Sequence, residues 1–132
     1  MGSRTNRARL VRAAGEGWQQ AMTDKLLVVI VSDDESKARV GVQMAGRMIG
    51  RHNLADVRVL FFGPSERLLA SPPAVLVEPL AAVRSGGAPM ACRAVAESME
   101  ILQPLETAGI ELVAAGQEIE QRILDGYQVM TF

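Results

Sequence analysis

From residue 24 onward, apolar and polar positions fall into blocks that switch between two periods. Leu26-Leu-Val-Val-Ile-Val31 is an unbroken apolar run rich in β-branched residues, which is what a strand covered on both faces of a parallel sheet requires. Ser32-Asp33-Asp34-Glu35 follows, with Ser32 and Glu35 spaced as a capping box that opens a helix. Ala38, Gly41, Val42, Ala45, Met48 and Ile49 then mark one helical face, and Asn53 supplies a stop.

The unit repeats. Val57-Arg-Val-Leu-Phe-Phe62 predicts a second buried strand ended by Gly63-Pro64, and Ser65 to Ala70 a short helical turn broken at Ser71-Pro72-Pro73. Val75 to Val83 predicts a helix that tolerates Pro79 in its first turn or at a kink. After Gly86-Gly87, Ala88 to Ala91 predicts a third strand. Cys92 then leads into a helix on Val95, Met99 and Leu102, closed by Pro104. Ile110 to Ala114, Gln117 to Leu124 and Tyr127 to Phe132 complete the series as strand, helix and strand. This alternation implies an α/β three-layer sandwich, with a five-stranded, mainly parallel sheet between helices.

Residues 1–23 stand apart from that pattern. Val11, Ala14, Trp18, Ala21 and Met22 fall at helical spacing, so Ala8 to Met22 can be an amphipathic helix, although Gly15 and Gly17 weaken it. The division is therefore an arginine-rich leader at 1–23, helical or disordered, and a single domain at 24–132.

Composition narrows the class. Hydrophobic residues at 48% and charged residues at 22% suit a globular domain and exclude wholesale disorder. The net charge of −1 balances Arg4, Arg7, Arg9 and Arg12 at the start against a mildly acidic remainder. That balance argues against nucleic acid as a partner, because such affinity rests on many cationic phosphate contacts. No apolar run reaches membrane-spanning length and no signal peptide is recognisable, so the cytoplasm is the default location.

In parallel α/β sheets, ligands bind at the carboxyl ends of the strands. Here that edge displays Ser32 and Asp33, then Gly63, Pro64 and Ser65, then Cys92 and Arg93, then Gly116 and Gln117. None of these loops carries a phosphate-binding signature. With one Cys and one His in the chain, a zinc site lacks ligands, and no metal is expected. His52 falls at the far end of the first helix and reads as a solvated last-turn residue. Asp33 with Asp34, and Glu118 with Glu120, read as helix-start charges and solvated faces.

Cys92 is the one soft nucleophile. A thiol at a helix start, with Arg93 beside it, gains from the unpaired N–H groups there. The same position also suits a small buried residue, and the residues alone leave both readings open.

The order of these elements, with several local phrases, resembles the DsrE/DsrF-like family of sulfur-relay proteins over residues 25–132. The phrases are Lys25-Leu-Leu-Val-Val-Ile-Val31, Val59-Leu-Phe-Phe-Gly-Pro64, Ala91-Cys92, Leu105-Glu-Thr-Ala-Gly-Ile110 and Asp125-Gly-Tyr-Gln-Val-Met-Thr-Phe132. The resemblance implies a five-stranded parallel α/β fold that assembles into homo-oligomers, trimers or hexamers. It also implies a cysteine after the third strand that receives sulfur as a persulfide and passes it to a partner protein. Cys92 matches that position, and such chemistry needs no metal or organic cofactor. With no second cysteine in the chain, sulfur taken from a donor would leave to another protein. The alternative is a non-catalytic oligomeric protein of the same fold, binding a small molecule or acting as a scaffold, its apolar surface supplied in part by Met44, Met48, Met90, Met99 and Met130. A sulfurtransferase that turns over as an enzyme is a third reading.

Overall fold

The computed structural model describes residues 23–132, so the helix expected over Ala8 to Met22 lies outside the described residues. In chain order the elements are β1 (Lys25–Ile30), α1 (Glu35–Arg51), β2 (Asp56–Phe61) and a 3-10 turn (Pro64–Glu66), followed by α2 (Arg67–Ala70) and α3 (Ala74–Arg84). Then come β3 (Met90–Cys92), α4 (Arg93–Ser98), α5 (Leu102–Thr107), β4 (Glu111–Val113), α6 (Ala115–Leu124) and β5 (Gln128–Thr131). The strands form one sheet in the order β4-β3-β2-β1-β5. Every neighbouring pair is parallel, so the mainly parallel sheet read from the sequence is parallel throughout.

A parallel sheet with polar loops at its ends must bury both faces. On one face, Val28, Ile30, Val59, Phe61 and Ala91 pack beneath Ala38, Val42 and Ala45 of α1 and Leu76, Leu80 and Val83 of α3. Ala96 of α4 and Leu105 of α5 extend that layer. On the other face, Leu27, Val29, Leu60, Met90 and Cys92 form a second cluster with Ala115 of α6, and Ile119 packs against it. Helices therefore flank the sheet on both sides. β1 is buried on both of its faces, because Leu27 and Val28 point to opposite layers and neither is exposed.

The helix ends differ from the sequence reading in informative ways. Asp34, not Ser32, caps α1: its Oδ1 accepts from the Lys37 N–H at 3.0 Å, while the Ser32 hydroxyl accepts from the Asp34 N–H at 3.1 Å. Ser32 thus stabilises the residue that caps. His52 rather than Asn53 ends the helix, in the left-handed conformation at φ 56°. Its side chain is exposed, as expected of a residue closing the helix.

Two further differences follow from proline. Pro79 lies inside α3 rather than in its first turn, so the Val75 carbonyl loses its usual i+4 donor. Its carbonyl side faces Gly46 of α1, where an added Cβ would stand 2.8 Å from the Ala82 Cβ. Only glycine lets α1 and α3 approach this closely. The single helix expected from Val95 to Leu102 is two helices, with Glu100 at φ 58° between them. Pro104 opens the second of these instead of closing the first, since the first turn has no intrahelical use for its missing N–H.

On the second face, α6 is held by a polar cluster at the opposite edge from Cys92. Arg122 donates to Glu118 at 2.6 Å and to the Tyr127 hydroxyl at 2.9 Å, and that hydroxyl donates to Asp56. Burial and the Asp56 carboxylate both push the Tyr127 hydroxyl above its ordinary pKa. The cluster ties the helix to the amino ends of β2 and β5.

Candidate functional site at the carboxyl ends of the strands

The path of the chain decides where a ligand crevice can form. Connections from β1, β2 and β3 run over the first face, through α1, α3 and the α4–α5 pair. The connection from β4 runs over the second face through α6 and returns beside β1. Adjacent strands β3 and β4 therefore send their chains to opposite sides. In folds of this class ligands bind at such a switch point, beyond the carboxyl ends of the strands; the residues that end β3 and β4 there are Cys92 and Val113, which are register partners.

Cys92 is the last residue of β3 and the residue before α4, with extended backbone at φ −73° and ψ 119°. The third strand runs one residue beyond the predicted Ala91, which places the thiol on the sheet rather than in a loop. Strand alternation turns it to the second face, beside Met90 and Ala115, with Val95 and Val113 packed around it. It is a free thiol with 6% exposure.

The other residues expected at this edge divide sharply. Ser65 is fully buried; its hydroxyl donates to the Ile30 carbonyl and its N–H to the Val31 carbonyl at 3.0 Å. That serine clamps the β2 loop to the end of β1. Asp33 is exposed and paired with Arg67 at 2.7 Å, spanning the loops after β1 and β2. Pro64 is an exposed first residue of the 3-10 turn, and Ser32 is committed to the Asp34 N–H. Arg93 is exposed and has no ion pair or hydrogen bond among the described residues, so its charge is turned to solvent. Gly116 is exposed at the start of α6, with open space where a Cβ would project.

One residue that the sequence reading passed over is central to this edge. Glu66 ends the 3-10 turn and is completely buried. Gly63, at φ 93°, turns the chain sharply enough for its N–H to donate to Glu66 Oε2 at 3.1 Å. The Cys92 backbone N–H also lies against the carboxyl group and favours its charged form. No hydrogen bond of good geometry reaches Oε1, however, which is left without a partner. Burial outweighs both N–H groups and raises the pKa of Glu66 from 4.5 to about 7. The signal was present in the sequence: Gly63 and Glu66 stand at capping-box spacing.

An open groove of about 440 Å³ lies elsewhere, between α1 and α3, lined in part by Arg39, Gln43, Arg47, Val75 and Glu78. It includes none of the strand-end residues.

Fold and site together define a doubly wound parallel α/β domain with a single thiol at its switch point. No family model and no curated protein matches the chain. Among solved structures it is similar to BT1422 from Bacteroides thetaiotaomicron, a conserved protein of unknown function. The two share 22% identity with a TM-score of 0.72, over 86% of this chain and 100% of that one. That likeness establishes the shared α/β fold. Among the described residues, no helix is long and apolar enough to cross a membrane and no His, Cys, Asp and Glu cluster could hold a metal ion.

Proposed function

We propose that the protein is a sulfur carrier that accepts a sulfane sulfur on Cys92 and passes it to a thiol on a partner protein. The observation that carries this reading is the placement of the one thiol at the carboxyl end of β3, where the connections from adjacent strands β3 and β4 leave to opposite faces of the sheet. The resemblance to sulfur-relay proteins supports it from a separate direction. The outer sulfur of a persulfide stands roughly 2 Å beyond Sγ, which extends the reach of a side chain that is itself largely covered. No second cysteine competes for the sulfur within the chain. A relay of this kind works where thiols stay reduced, which suits the cytoplasm.

Incubation with polysulfide should add the mass of one sulfur atom to the intact protein, and reduction should remove it. The Cys92→Ser variant should show no such adduct. An unmutated protein whose mass stays unchanged would refute the carrier reading.

Self-association belongs to the same proposal. Val40, Val75 and Val77 are exposed on the outside of α1 and α3, with Met130 exposed on the same face at the β5 edge, and Ile123 and Leu124 are exposed at the end of α6 on the opposite face. These two apolar surfaces suit a homo-oligomer, a trimer or hexamer, in which neighbouring copies cover them. Light scattering at micromolar concentration should give a multiple of the 14.2 kDa chain mass, and a monomeric mass would overturn the assembly.

A further inference from the structure

We propose that the groove between α1 and α3 is a two-fold contact with a second copy of this chain, in which Arg39 and Arg47 of each copy hold Glu78 of the other. This rests on the self-association reading and specifies which surface meets which.

The groove is mixed in charge and apolar between its charges. Arg39 and Arg47 stand on the α1 wall, about 12 Å apart along the helix axis, and Val75 and Glu78 on the α3 wall. Toward the carboxyl edge of the sheet the same depression continues past Glu35 and Val40. Val40 and Val75 are 57% and 44% exposed. Arg58, Arg67 and Arg122 are all paired with carboxylates, whereas Arg39, Arg47, Glu35 and Glu78 form no ion pair among the described residues.

Two cations and two anions left unpaired around exposed valines are complementary to the same set turned over. A two-fold interface demands that self-complementarity, because each contact is made twice with the roles exchanged. A uniformly acidic or uniformly basic partner would instead set like charges against either the glutamates or the arginines.

The helix geometry allows the match. α1 and α3 each lead from one parallel strand to the next, so both run from the carboxyl to the amino edge of the sheet. Gly46 of α1 lies level with Ala82 of α3. Glu78, one turn earlier, therefore lies at a level between Arg39 and Arg47. A two-fold axis along the groove preserves direction and level while it lays α1 of each copy over α3 of the other. Glu78 then faces Arg39 and Arg47 of the other copy, and Val75 faces its Val40.

A two-fold contact has a consequence for the mass. It occurs in dimers and hexamers and is absent from a cyclic trimer.

The test is sedimentation equilibrium across micromolar concentrations on the full chain and three variants, with circular dichroism to confirm folding. The parent should give an even multiple of 14.2 kDa. Glu78→Arg, and Arg39→Glu with Arg47→Glu, should each raise the dissociation constant of this contact at least about tenfold and halve the mass. Combining all three substitutions exchanges the signs on both walls and should restore the parent mass. Single-wall variants that keep the parent mass, a combined variant that stays dissociated, or a trimeric parent would each overturn the two-fold contact while self-association stands. A monomeric parent would sink both, and that outcome is read before any variant is made.

Discussion

Replacing Glu66 by Gln should stabilise the protein at pH 8 by on the order of 3 kcal/mol and change little at pH 4. The sign follows from proton linkage. The unfolded carboxyl titrates near 4.5 and the folded one at about 7, so between these values the folded state binds the extra proton. Stability is therefore greatest below the lower value and declines as pH rises through the window, at about 1.4 kcal/mol per unit. Above pH 7 a charged, buried and half-satisfied carboxylate remains as a standing cost. An amide carries no charge at any of these pH values and escapes it. Urea unfolding of both proteins at pH 4, 6 and 8 measures the effect, and curves that stay parallel across the range would rule out a titrating Glu66.

Phe61→Ala should destabilise the protein by about 3–5 kcal/mol at neutral pH. Phe61 is the largest of the fully buried side chains and stands at the end of the central strand, paired with Ile30 of β1 and Ala91 of β3. It belongs to the apolar layer under α1 and α3. Removal of the ring leaves a cavity as well as lost apolar burial. Against a total of roughly 5–15 kcal/mol for a domain of this size, that is a large fraction. Leu124, 79% exposed at the end of α6, is the matched control, and Leu124→Ala should shift the urea midpoint little. A Phe61→Ala midpoint close to the parent's would show that the first layer repacks.

How far the sequence could be read depended on how local each cause was. Leu26 to Val31 declared a strand buried on both faces because six consecutive apolar, mostly β-branched residues have no other economical fate in a small domain. The positions of Ala38, Val42 and Ala45 along α1 were legible for the same reason, since a helical period is written directly in side-chain polarity. Boundaries were less legible. Ser32 and Asp34 both satisfy the rule for a cap, and only the direction in which the chain leaves β1 decided that Asp34 reaches the Lys37 N–H. Glu100 carries no mark of a helix break; its left-handed backbone follows from the packing of α4 and α5 on the sheet.

The candidate site divides along the same line. By itself the sequence determined the strand–helix alternation and the five strands. It also placed Cys92 at the carboxyl end of the third, because these follow from polarity and β-branching within a few residues of each position. Strand order, the switch between β3 and β4, and the turn of Cys92 toward the second face were decided only by the tertiary structure. So was the conversion of Ser65 from candidate ligand to buried clamp, and of Glu66 from an ordinary turn carboxylate to one raised to about 7. The physical reason is burial: a side chain's solvation depends on residues distant in sequence, and no local pattern records which of them will surround it.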